Sequence, residues 1–160
     1  MAHKQTSEFN SASLAEFLKK EKIWFKLHEF EEDVKTAEKA SRQVPQEKII
    51  KSLVFMDSNQ EPFIVIIQAN KKVDFKKVKK VLGVKDVRLA SANEVLENSG
   101  YAVGAVPPIF YKNVKRVIVD AKTTKIDVVF AGGGDVNKLI EMKMEDIIKL
   151  NNAIIEDISE

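Results

Sequence analysis

Cysteine is absent from this 160-residue chain, which excludes disulfides and thiol catalysis and fits a reducing interior. Histidine is almost absent. Only His3 and His28 offer imidazole, so no zinc site is expected. Arginine is confined to Arg42, Arg88 and Arg116. No segment approaches the run of about 20 apolar residues that a membrane span needs. The longest strongly apolar stretch is Pro62 to Ile67, and Met1 to Asn10 is polar, without a signal-peptide core. Also missing are a G-x-S-x-G nucleophile elbow, a phosphate loop ending in Gly-Lys-Ser/Thr and an H-E-x-x-H helix. These absences predict a soluble cytoplasmic protein with no membrane partner, metal or cofactor.

What is present suits one compact domain: 44% hydrophobic and 31% charged residues, enough to bury a core without staples. Net charge is only +2, but its distribution is uneven. Between residues 71 and 88 lie Lys71, Lys72, Lys76, Lys77, Lys79, Lys80, Lys85 and Arg88, opposed by Asp74 and Asp86 alone. Such a surplus is what a phosphate backbone recruits, and equally what a solvated helix face carries.

Local signals divide the chain into mixed elements. Ser13 with Glu16 reads as a capping box opening a helix from Leu14 to Glu21. Alternation from Ile23 to His28 reads as a strand. Thr36 caps a short helix to Arg42, and Pro45 starts another over Gln46 to Lys51. Leu53 to Met56 and Phe63 to Gln68, joined by Asp57-Ser58-Asn59-Gln60, form a hairpin. Asp74 caps a helix ended by Gly83, and Val87 to Leu89 is a short strand. Ser91 with Glu94 opens a helix that stops at Gly100. Tyr101 to Pro108 is an ordered loop. Val117 to Val119, Val128 to Phe130, Lys138 to Met142 and Ile154 to Ile158 are strands, and Met144 to Leu150 is a helix. Strands and helices mix without a strict βα repeat, which predicts a single α+β domain with a mixed sheet. Residues 1–12 read as an N-terminal extension and 13–160 as the domain.

Few residues stand out for chemistry. The triple glycine 132–134 serves either as an anion-binding nest or, on the preferred reading, as a tight turn. Lys51, in Ile49-Ile50-Lys51-Ser52-Leu53-Val54-Phe55, sits where a helix meets an apolar strand. It either polarises a carbonyl or phosphate or snorkels to water. His28 is a general base or a structural residue. Tyr101, after a helix-ending glycine, has loop packing as its plainest role.

Taken in order, several segments resemble the YbaK family, the prolyl-tRNA synthetase-associated editing domain. They are Thr36-Ala37-Glu38-Lys39-Ala40, Ile50-Lys51-Ser52-Leu53-Val54-Phe55, Asp74-Phe75-Lys76-Lys77-Val78, Val87-Arg88-Leu89-Ala90 and Gly100 to Pro108, the last containing a G-x-x-x-P form. The resemblance runs from about Ser13 to Ile158. It implies a curled, barrel-like mixed sheet with helices around it, and hydrolysis of mischarged tRNA in trans. It implies Lys51 as the catalytic lysine and Gly104, Ala105, Val106, Pro107 and Pro108, with His28 and Tyr101, as the substrate-binding set. Under it, Lys71, Lys72, Lys76, Lys77, Lys79 and Lys80 become tRNA contacts, and a synthetase is a further possible partner. Synthetase-embedded members carry a histidine in the late strand-turn region. The comparable residues 132–138 have none, so the resemblance does not identify the amino acid removed. The competing readings are a non-catalytic tRNA- or synthetase-binding module of the same fold, and a regulatory protein with a protein partner.

Overall fold

The computed structural model describes residues 8–160, so His3 and residues 1–7 of the expected extension lie outside it. The first helix, α1 (Ser11–Lys20), starts earlier than Ser13 predicts. The cap is Asn10, whose side chain accepts from Ser13 N at 2.9 Å while Ser13 Oγ accepts from Asn10 N at 2.9 Å. Ser13 is therefore the third helical residue of the box, not its cap, and Leu14 and Leu18 face the core fully buried.

The remaining elements follow in chain order. Strand β1 (Phe25–Glu29) leads to α2 (Ala37–Ser41), capped by Thr36 as expected. Only one 3-10 turn (Gln46–Lys48) forms after Pro45, and β2 (Ile50–Asp57) begins at once. Lys51 is therefore a strand residue, not the end of a helix. Strand β3 (Pro62–Gln68), α3 (Phe75–Leu82), β4 (Val87–Leu89) and α4 (Ala92–Ser99) come next. The chain ends with β5 (Val117–Asp120), a 3-10 turn (Ala121–Lys125), β6 (Val128–Gly132), β7 (Lys138–Lys143), α5 (Met144–Asn151) and β8 (Ile154–Glu156).

The strands form two sheets. One is five-stranded and mixed, in the order β4-β2-β3-β5-β8, with β3–β5 and β5–β8 parallel. The other is antiparallel, in the order β1-β7-β6. The α+β class holds, but the barrel-like expectation does not. Neither sheet closes; among the described residues the backbone bridge between them is Ile49–Phe130. Sequence periodicity is the same for strands of one curled sheet and of two adjoining sheets, so it could not distinguish them.

Strand β3 is buried on both faces, which is why its run Phe63 to Ile67 is continuously apolar. Ile64 and Ile66 join Leu14, Leu18, Val129 and Ile140 in the core between the sheets and α1. Phe63, Val65 and Ile67 face the other way, against Val78 of α3. A third, smaller cluster of Val34, Ala40, Ile49, Ala69 and Leu139 lies where the two sheets part.

Candidate functional site

The parting of the sheets leaves a strand edge uncovered. Strand β2 pairs with β3 along its whole length, but β4 covers its other edge only from Phe55 to Asp57. Val54 O accepts from Ala90 N at 2.9 Å on that same edge. Backbone groups two residues apart point to the same side of a strand. The N–H and C=O of Ser52 therefore point away from β3 into the gap between the Ile49–Phe130 bridge and β4.

A cleft of about 190 Å³ opens there. One wall is β2 from Ile49 to Leu53, and another is Val34 to Ala37 leading into α2. Val103, Gly104 and Val106 close it from the loop, with Ala131 and Gly132 at the end of β6 and Leu139 and Ala69 below. The lining is mainly aliphatic. Its polar side chains are Lys35, Thr36, Lys51 and Ser52, with no carboxylate or imidazole among them.

Lys51 has neither a hydrogen bond nor an ion pair among the described residues. Burial holds its pKa below the usual 10.5, and the charge of Lys72 pushes in the same direction. A half-buried ammonium without a counter-ion is unfavourable in the empty protein, and suits a site that receives negative charge. Ser52 Oγ is buried with no hydrogen-bond partner among the described groups. It nonetheless lies near enough to the Tyr111 hydroxyl to act on its ionisation.

The loop opposite is held in place through several of its carbonyls. Ala105 O accepts from Gly134 N at 2.9 Å. Pro107 O accepts from the Tyr111 hydroxyl, Pro108 O from Asn151 Nδ2 and Phe110 O from the Tyr101 hydroxyl, each at 2.7 Å. Phe110 is held at φ 75°, a region that a phenylalanine enters only when its surroundings dictate it. Phe9 and Phe17 pack on its ring, with centroids 5.0 and 4.7 Å away. Burial raises the pKa of both tyrosine hydroxyls, aided at Tyr101 by the charge of Asp135, so both remain protonated donors. Tyr111→Phe should leave Pro107 O buried without a partner. It should lower stability by about 1–3 kcal/mol in thermal or denaturant unfolding.

The glycines do more than turn the chain. Gly104 sits at φ +86°, and a Cβ there would stand 2.6 Å from Lys35 Cβ and 3.0 Å from Lys35 O. A Cβ on Gly132 would stand 2.4 Å from Val106 O, so β6 and the loop touch backbone to backbone. The turn is anchored beneath by Ser11, whose hydroxyl donates to Asp135 and accepts from Lys138 Nζ at 3.0 Å. The triple glycine is thus a turn and also the platform on which the loop rests.

Of the residues singled out in the sequence, Lys51, Gly104 and Val106 line the cleft. Ala105, Pro107 and Pro108 are buried behind it. Tyr101 is buried as a clamp of the loop. His28 lies in mid-β1, with Nε2 2.9 Å from Glu141 Oε1 and its ring beside Phe130, and does not line the cleft. Lys71 and Lys72 occupy the turn after β3, while Lys76, Lys77, Lys79 and Lys80 ride on α3. Lys77 binds Asp157 at 3.1 Å and Ser159 O at 2.9 Å. Lys35, Ser52, Val103 and Gly132 belong to the cleft without having been singled out as site residues. Gly132 belonged to the glycine run, and Ser52 and Val103 lay inside segments with the family resemblance, but Lys35 carried no signal. Among the described residues no cluster of His, Cys, Asp or Glu could hold a metal, and no helix is long and apolar enough to cross a membrane.

The aminoacyl-tRNA editing domain family matches residues 31–150, which include every cleft-lining residue. The uncharacterised protein YwhH of Bacillus subtilis (strain 168) is 31% identical over 121 residues, covering 74% of this chain and 76% of its own. The proline–tRNA ligase of Halalkalibacterium halodurans is 37% identical over 95 residues. That match covers 59% of this chain but only 16% of the ligase. Among solved structures, hypothetical protein APE2540 superposes with a TM-score of 0.85 at 31% identity, covering 92% of this chain and 99% of its own. A proposed trans-editing enzyme for prolyl-tRNA synthetase superposes at 0.77 with 25% identity, covering 85% of this chain and 87% of its own.

Proposed function

This chain belongs to the aminoacyl-tRNA editing domain family, and from that premise we propose that it is a deacylase that hydrolyses mischarged tRNA in trans. The observation that carries the reading is the unpaired Lys51 ammonium in a cleft faced by a glycine-presented loop. An aminoacyl ester is already activated, so little protein chemistry is needed beyond placement and polarisation of its carbonyl. In this scheme the 3′ terminus of the tRNA enters between β2 and the loop. Lys51 holds the phosphate or ester region, and the open Ser52 N–H and the backbone around Gly104 bind the terminal ribose and reacting carbonyl. Water adds to the acyl carbon, the bond to the ribose oxygen breaks, and that oxygen takes up a proton. Among the described residues the cleft is lined by no carboxylate or imidazole base, and in this scheme proton transfer falls to the substrate's own vicinal ribose hydroxyl. That hydroxyl relays the proton from the attacking water.

The tRNA body would lie across Lys71, Lys72, Lys76, Lys77, Lys79 and Lys80, and a synthetase that releases the mischarged tRNA is a natural partner. Such a substrate places the protein in the cytoplasm. The same lack of a base is what a non-catalytic tRNA-binding module would show. A panel of mischarged tRNAs separates the two. The deacylase releases particular amino acids well above the spontaneous rate. Salt-sensitive binding with no release from any pair supports the module instead.

A further inference from the structure

We propose that Lys35 is a second substrate-binding cation, which with Lys51 brackets the last phosphodiester of the incoming acceptor end. This deepens the deacylase reading and rests on it. Lys35 and Lys51 line the cleft from different walls, the α2 approach and the β2 edge. Neither ammonium has a hydrogen bond or ion pair among the described residues. The acid nearest to Lys35 in sequence, Asp33, is already engaged. Both of its oxygens accept from Lys39 Nζ, at 3.2 and 3.0 Å, and Oδ1 also accepts from Lys35 N at 3.3 Å. Asp33 therefore accepts a hydrogen bond from the Lys35 backbone and gives its side-chain hydrogen bonds to Lys39, while the Lys35 charge acts on it only at longer range.

The base of the Lys35 stem is confined on one side, while the residue as a whole is exposed. That base lies so close over Gly104 that a single added methyl group would meet Lys35 Cβ at 2.6 Å. Holding the backbone and the base of the stem reduces the entropy lost when the ammonium engages a ligand. Beside Lys35 the rim is apolar. Val103 is 55% exposed and lines the cleft. Val136, 39% exposed, is joined to this segment by Val34 N donating to Val136 O at 2.8 Å. Two unpaired cations next to exposed aliphatic side chains match a nucleotide, with its anionic linkage and apolar ring faces.

The test uses the trinucleotide CCA, uncharged, so that its result is independent of hydrolysis. Its binding to wild type, Lys35→Met and Lys35→Arg is followed by NMR titration over a range of salt. Methionine keeps the stem over Gly104 and removes the charge. Lys35→Met should bind roughly five-fold more weakly, with a log–log salt slope reduced by about 0.7, and Lys35→Arg should restore both. A CCA whose last linkage is a neutral methylphosphonate should lose more affinity for wild type than for Lys35→Met, which keeps only the Lys51 contact to that linkage. Equal loss in both proteins, or no loss in wild type, overturns the assignment. Should Lys35→Met fail to fold, Lys35→Gln and the methylphosphonate comparison on wild type carry the test. CCA binding through Lys35 in a protein that hydrolyses no ester would defeat the deacylase reading and leave the phosphate site standing.

Discussion

Replacing Lys51 with methionine is expected to cut amino-acid release by about a hundredfold or more while making the protein more stable. Most site substitutions cost stability or leave it unchanged, so the sign is informative. In the empty protein the Lys51 ammonium is half-buried, lacks a counter-ion and is repelled by Lys72. Methionine keeps the length of the stem and removes both penalties, a gain of at most about 1 kcal/mol once solvent screening of the half-exposed ammonium is allowed for. The pH dependence follows from linkage. The folded-state pKa lies below the unfolded value of 10.5, so between the two the unfolded chain binds more protons. The penalty is complete below the folded pKa, and stability recovers as pH rises through it towards 10.5. The melting-temperature advantage of Lys51→Met should accordingly be largest at neutral pH and shrink in alkaline solution. Scanning calorimetry across that range checks it. A variant less stable than wild type at every pH would mean that Lys51 is a packing residue.

The second large effect is expected at Gly132. Alanine there would put a Cβ 2.4 Å from Val106 O and 3.1 Å from Ala105 C. These are backbone atoms, so no side-chain rotation relieves the contact. Either β6 or the loop must shift. The loop is the element whose position is under question, and its carbonyls at Ala105, Pro107, Pro108 and Phe110 are each tied down. Overpacking of this kind costs about 1–3 kcal/mol. A displacement of about 1 Å in the groups that hold a reacting ester can cost about a hundredfold in rate. Gly132→Ala should therefore lower both stability and release, and the loss of release should persist at temperatures where the variant is fully folded. Ile118→Val serves as the control, because Ile118 is buried in the cluster under α3. It should cost about 0.5–1.5 kcal/mol with release unchanged. If the two variants lose stability equally and both keep full release, the backbone contact at Gly132 does not set the geometry of the site.

The sequence was most legible where a local rule acts alone. Thr36, Asp74 and Ser91 each cap the helix they were expected to cap, because the interaction lies within four residues. The β2–β3 hairpin formed across Asp57 to Gln60 for the same reason. Where two local candidates competed, the pattern was ambiguous: Ser13 resembles a cap, but Asn10 takes that place and Ser13 completes the box. Non-local contacts were not readable. Nothing in the spacing shows that β1, β6 and β7 leave the main sheet, or that their departure exposes the β2 edge at Ser52. Nor does it show that Gly132 meets Val106 O, or that Lys35 lies over Gly104. Tyr101 reads as a packing residue of the loop and Tyr111 is not singled out, because their use as clamps depends on Phe110 O and Pro107 O turning toward them. The segments around Lys51 and Gly104 could be picked out together through their family resemblance. On the wall opposite, the resemblance reached Thr36 to Ala40 but not Lys35, since a lysine in a charged stretch such as Glu31 to Lys39 carries no distinguishing mark.

The central claim is that the cleft around Lys51 hydrolyses aminoacyl-tRNA. The direct measurement is single-turnover release of amino acid from a panel of mischarged tRNAs, with wild type and Lys51→Met in parallel. The account predicts rapid release by wild type from a subset of amino acids, with Lys51→Met folded and slower by about a hundredfold on that subset. Equal release by both proteins, or none by folded wild type from any pair, would contradict it.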